Sequence, residues 1–90
     1  MKVTEVLIPC RVRQGMFSDE YAVEVEVAGK VVSLFADKVL VSFKGEQAYL
    51  RVHLVGENGK PKSKTVLLPS ESFEEGTRWI SVPTDALLAA

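Results

Sequence analysis

A chain of 90 residues is long enough for one domain, spanning 1–90, and too short for two. Its 11 basic and 12 acidic residues nearly cancel, which weighs against a domain built around a nucleic-acid backbone, since such domains carry a clear positive excess. The single cysteine, Cys10, excludes an internal disulfide, whereas a small secreted domain usually carries several.

The chain opens on a period-two pattern. Val6, Ile8, Cys10 and Val12 alternate with Leu7, Pro9, Arg11 and Arg13, which is a first strand with its even-numbered side inward. Pro9 has no N–H, so this strand is expected to be an edge there or to carry a bulge. A loop, 14–19, contains Met16 and Phe17. The cleanest alternation follows at Tyr21–Val27: Tyr21, Val23, Val25 and Val27 face one way, and Ala22, Glu24 and Glu26 the other. Setting Val12 opposite Tyr21 and Cys10 opposite Val23 makes the apolar faces coincide. It also places Arg13 across from Glu20 and Arg11 diagonal to Glu24.

Ala28-Gly29-Lys30 reads as a tight turn into a third strand, Val31–Phe35, with Val32 and Leu34 inward. Ala36-Asp37-Lys38 breaks the pattern. A fourth strand is expected at Val39–Phe43, with Val39, Val41 and Phe43 on one face. After Lys44-Gly45-Glu46, Gln47–Val55 forms a fifth strand with Leu50, Val52 and Leu54 inward. Asn58-Gly59 is the strongest hairpin signal in the chain. Centring a two-residue turn there sets Glu57 opposite Lys60, Leu54 opposite Ser63, Val52 opposite Thr65 and Leu50 opposite Leu67. The sixth strand is then Lys62–Leu68. The stretch 69–76 is polar and has room for one helical turn at most. Arg78–Val82 makes a seventh strand, ended by Pro83, and Thr84-Asp85 can cap a short last turn.

Short, evenly spaced strands divided by turn signals predict an all-β fold. The expectation is a small closed or nearly closed antiparallel barrel of about six to seven strands, with at most a short helical turn near the C-terminus. A two-sheet sandwich is the alternative. The likeness to SH3-like barrels is one of strand count and spacing; no cold-shock, RRM or PilZ signature is present, and fold does not fix function. The sequence shows no signal-peptide pattern, and no apolar run approaches the ~20 residues of a membrane helix. The expected setting is therefore soluble, reducing and cytoplasmic, with no membrane partner.

The sequence points to no catalytic residue, no cofactor and no metal. His53, the only histidine, sits on the wet side of its strand without a nucleophile or an orienting carboxylate. Cys10 has inward parity and reads as a small buried hydrophobe. One Cys and one His cannot build the usual zinc site. Two surfaces stand out instead. Met16, Phe17 and Trp79, with Tyr49 and Leu68, are candidates for a protein contact, since exposed aromatics anchor interfaces. Arg51, His53, Lys60, Lys62 and Lys64 would form a basic strip on the 51–64 hairpin, a candidate nucleic-acid contact with Tyr49 able to stack on a base. The first reading is a non-enzymatic protein-interaction module or accessory subunit whose partner is a protein, itself or another. A homodimer is natural if the edge at Pro9 or the outer face of the first strand is open. A nucleic-acid-binding small barrel is the alternative.

Overall fold

The computed structural model describes residues 4–27, 29–57, 59, 62–74 and 76–90. These form eight antiparallel strands: β1 (Thr4–Gln14), β2 (Glu20–Val27), β3 (Lys30–Asp37), β4 (Val41–Lys44), β5 (Gln47–Glu57), β6 (Ser63–Leu67), β7 (Trp79–Pro83) and β8 (Leu88–Ala89). Single turns of 3-10 helix occupy Lys38–Leu40 and Thr84–Ala86. The strands make one curled sheet in the order β3-β2-β1-β5-β6-β7, with β4 beside β5 and β8 beside β1. The curl brings β7 back against β2. The result is a half-barrel whose end strands, β3 and β7, do not pair, so the expected small barrel is present with incomplete closure.

Period-two patterning works as the physics of a half-buried sheet requires. Ile8, Val23, Val25, Leu34, Leu50, Val66, Leu68 and Val82 are essentially sealed from water. They form one core with Val6, Cys10, Val32, Val52 and Ile80. A 90-residue chain buries only roughly 60–65% of its unfolded surface, so this single cluster carries most of the stability.

The two long strands at the centre share a design. β1 pairs with β5 along Thr4–Cys10 on one side. Its other side is divided between β8, at Val6 and Leu7, and β2, at Arg11–Gln14. β5 divides its far side in the same way, between β4 at Gln47–Leu50 and β6 from His53 onward. Pro9 falls in the gap between the β8 and β2 pairings and faces Tyr49 across the other side. The missing N–H therefore sits where one flanking strand has ended and the next has not begun. Where β1 leaves β5, the Gln47 side-chain amide donates to the Cys10 carbonyl at 3.1 Å and to the Ala48 carbonyl at 2.9 Å.

Four expectations are corrected. Val12 lies opposite Val23 rather than Tyr21, and Arg11 directly opposite Glu24. The slip is two residues, which keeps every side chain on its face, so hydrophobic matching could not distinguish the two registers. Glu24 takes both cations, lying 3.8 Å from Arg11 and in contact with Arg13. Val39 is not in a strand: Asp37 Oδ1 accepts from the Val39 N–H at 3.0 Å, starting the 3-10 turn and leaving Val39 outside. The β5–β6 hairpin is displaced too. Asn58, Lys60 and Pro61 lie outside the described residues, but the flanking ladder sets Glu57 opposite Lys64, Leu54 opposite Val66 and His53 opposite Leu67. A bulge between Leu54 and Gly56 accompanies the change. From His53 to Leu54 the slip is three residues, an odd number, so β6 is turned over: Val66 and Leu68 face the core. Finally, β8 extends the sheet where a plain terminal turn was expected.

Among the described residues of the stretch 69–76 there is no helix, and the stretch docks on the outer edge of β3. The Phe73 N–H donates to the Ser33 carbonyl at 2.8 Å, the Ser33 N–H donates to Glu74 Oε1 at 2.7 Å, and Ser70 Oγ donates to the Phe35 carbonyl at 2.6 Å. Phe73 packs edge-on against Phe35, ring centroids 5.0 Å apart. An edge that would otherwise offer bare donors and acceptors is thus covered.

Candidate functional surfaces

The loop between β1 and β2 holds Met16 and Phe17 outward, 75% and 66% exposed. Its backbone is fixed despite that exposure. The Glu20 N–H returns to the Phe17 carbonyl at 3.3 Å, and the Lys38 N–H reaches the Asp19 carbonyl at 3.0 Å. Gly15 passes so close to the loop's far end that an added Cβ would lie 2.8 Å from the Glu20 carbonyl oxygen. The Lys38 bond ties the loop to the 3-10 turn carrying Val39, which is 80% exposed. The Lys38 ammonium sits 4.9 Å from the centre of the Tyr21 ring, and Tyr21 meets the exposed Phe43 edge to face at 6.2 Å. Met16, Phe17, Val39 and Phe43 therefore come from three segments at one end of the half-barrel. Val39 and Phe43 were missed as part of this surface, because a fourth strand starting at Val39 placed both on one face with Val41, whereas Val39 stands outward on a 3-10 turn.

Next to this end, β1 splays away from the β4–β5 hairpin. The gap is an open groove of about 640 Å³ bounded by Arg11, Arg13, Glu24, Phe43 and Gln47. Cys10 lies at its base, buried, and burial pushes its thiol up to about 11. A nucleophilic cysteine needs the opposite shift.

The other sequence candidates separate. Trp79 is 55% exposed at the start of β7, in a cross-strand row of outward side chains running Glu5, His53, Leu67, Trp79. Tyr49 is half-buried between Pro9 and Ser42, with the Lys44 ammonium 5.8 Å from its ring centre. Leu68 takes no part in any surface, being fully buried by the inverted face of β6.

The basic strip is broken by the same inversion. Arg51 and His53 are on the outer face, but Lys64 is on the parity of Val66, opposite Val82. Lys62 is exposed beyond the strand, and Lys60 lies outside the described residues. Arg51 and His53 instead share Glu5, at 3.9 Å and 3.8 Å. Sequence spacing brought Arg51 and His53 together correctly; it could not show Glu5, which arrives by the β1–β5 pairing.

Among the described residues no group of three or more His, Cys, Asp or Glu is placed to hold a metal ion, and no helix is long and apolar enough to cross a membrane. No protein-family model, curated protein or solved structure matches the chain.

Proposed function

We propose that this chain is a non-enzymatic protein-interaction module or accessory subunit of the cytoplasm, binding through the end of the half-barrel that carries Met16 and Phe17. The observation behind this reading is two large apolar side chains, 75% and 66% exposed, on a loop whose backbone is pinned. Exposed apolar side chains on a rigid frame lower the ordering cost of association. Val39 and Phe43 extend the apolar ground, and Lys38 and Asp19 give it a polar margin. Cys10, buried and unpaired, fits a reducing compartment. We read the barrel as SH3-like on strand spacing; that likeness carries no ligand with it.

The test compares the wild-type chain with an M16S/F17S variant as affinity baits, and both by sedimentation at micromolar concentration. A partner or self-association present with wild type and absent with the variant supports the reading. Identical captures and identical sedimentation would remove its basis.

The nucleic-acid reading keeps Arg51, His53 and Lys62 as exposed or half-exposed basic side chains, but its continuous strip is interrupted by Glu5 and by the face of Lys64. A gel shift at low salt, lost steeply as salt rises, would restore it.

A further inference from the structure

The divided pairing of β5 leaves a hole in the sheet. β4 ends its pairing at Leu50 and β6 begins at His53, so Arg51 and Val52 have no strand on that side. A pocket of about 260 Å³ opens there. Its apolar wall comes from Leu40, Leu67 and Pro69, with the buried Val52 and Leu68 beneath, and its polar wall from Arg51, His53, Arg78 and Glu5. Two arginines against one glutamate leave a net positive charge even with His53 neutral.

The cations are poised rather than satisfied. Arg51 Nε is shut off from solvent and has no hydrogen-bond partner among the described residues, a condition that ordinarily costs stability unless a ligand or water completes it. The Glu5 oxygens stand 3.9 Å from Arg51 and 3.8 Å from His53, too far for hydrogen bonds. Arg78 is oriented by its Nε, which donates to the Leu68 carbonyl at 2.9 Å. Two guanidinium groups lining one pocket with an aliphatic wall suit a carboxylate carried on a short apolar body. The volume is below the ~300–1,000 Å³ of pockets that hold whole drug-sized ligands, so an end group fits, not a long chain.

We propose that this seam between β4 and β6 binds the carboxylate of a short branched aliphatic group, either a free acid or the C-terminal residue of a peptide. Arg51 and Arg78 hold the anion, with His53 beside them, and Leu40, Leu67 and Pro69 hold the aliphatic part. Glu5 is the internal counter-ion that the ligand displaces. The site is independent of the Met16–Phe17 surface and stands or falls separately from it.

The test is an amide-resolved NMR titration with four probes at millimolar concentration: isovalerate, an acetylated tetrapeptide ending in leucine with a free carboxylate, its C-terminal amide, and inorganic phosphate. Saturable shifts of the amides of Arg51–His53, Leu67 and Leu68 are expected with isovalerate or the free-acid peptide. Whichever binds more tightly identifies the source. Weakening by about tenfold or more is expected for R51Q, and strengthening for E5Q, which removes the competing carboxylate. A merely structural Glu5 would not produce that gain. The proposal is overturned if neither carboxylate gives saturable shifts, if the amide peptide binds as well as the acid, if phosphate binds more tightly than both, or if E5Q binds no better than wild type.

Discussion

Cys10 gives the sharpest residue-scale test. Its burial between Ile8 and Val12 raises the thiol to about 11 from an ordinary 9.0. At pH 8 about one folded chain in a thousand then carries the thiolate, against about one in ten for an unperturbed thiol. A disulfide reagent should label the native chain at least ~100-fold more slowly than the urea-unfolded chain; equal rates would mean that β1 opens readily at Cys10. Glu74 is the second case. It is a surface carboxylate held below the ordinary 4.5 because it accepts the Ser33 N–H. A depressed carboxylate contributes stability above its unfolded value, and the contribution is lost as pH falls through its folded value. Urea midpoints measured from pH 6 downward should therefore fall more for the wild type than for E74Q below pH 4.5. Parallel curves would show the bond to be inconsequential. The inward parity of Cys10 was legible from its neighbours in sequence. The task of Glu74 was not, because Ser33 is 41 residues away and reaches it only through the folded chain.

At the scale of elements, Gly56 decides the most. Its φ of +145 is open to glycine and strained for other residues, and it sits in the bulge that resets the β5–β6 register. G56A should cost about 1–3 kcal/mol by urea denaturation. A neutral result would mean that the bulge relaxes without penalty. Without the bulge, β6 would present Lys64, Val66 and Leu68 to water, the arrangement the Asn58-Gly59 signal suggested. That hairpin shows where sequence reading runs out. Alternation locates a strand well, as at Tyr21–Val27, and fixes which residues share a face. The partner's offset depends on turn and bulge geometry, which one residue can change. The β1–β2 slip was silent for the opposite reason: an even shift satisfies the same pattern. Of the candidate contacts, Met16, Phe17 and Trp79 could be named as unexplained hydrophobes, yet their exposure depended on whether the barrel end was plugged.

For the whole molecule, stability rests on one small core, and the open edge of the sheet at β3 is covered by the stretch that follows β6. L50A removes a side chain with no exposed surface from within the central β1–β5 pairing and should cost about 2–5 kcal/mol in a urea melt. M16S/F17S should stay within about 0.5 kcal/mol of wild type, since neither side chain is needed to fill that core. The β3 edge responds differently. F73A/E74A removes the ring against Phe35 and the carboxylate on Ser33 while leaving the buried cluster intact. Light scattering on warming should rise earlier for this variant than for wild type, at a similar unfolding midpoint, because a bare edge recruits other edges. Scattering that tracks the unfolding midpoint alone would show that the 69–76 stretch is no guard.

The division of β1 among three partners also bears on the order in which a growing chain can acquire structure. Every strand that pairs with residues 4–14 lies later in the sequence. β2 later offers them only Arg11–Gln14, the ladder to Thr4–Cys10 waits for Leu54, and the flank at Val6 and Leu7 waits for Leu88 and Ala89. Of the eight strands, β1 is thus made before the others and completed after them. Until β5 has been made, the apolar side of β1, Val6, Ile8 and Cys10, lacks the strand that pairs along it.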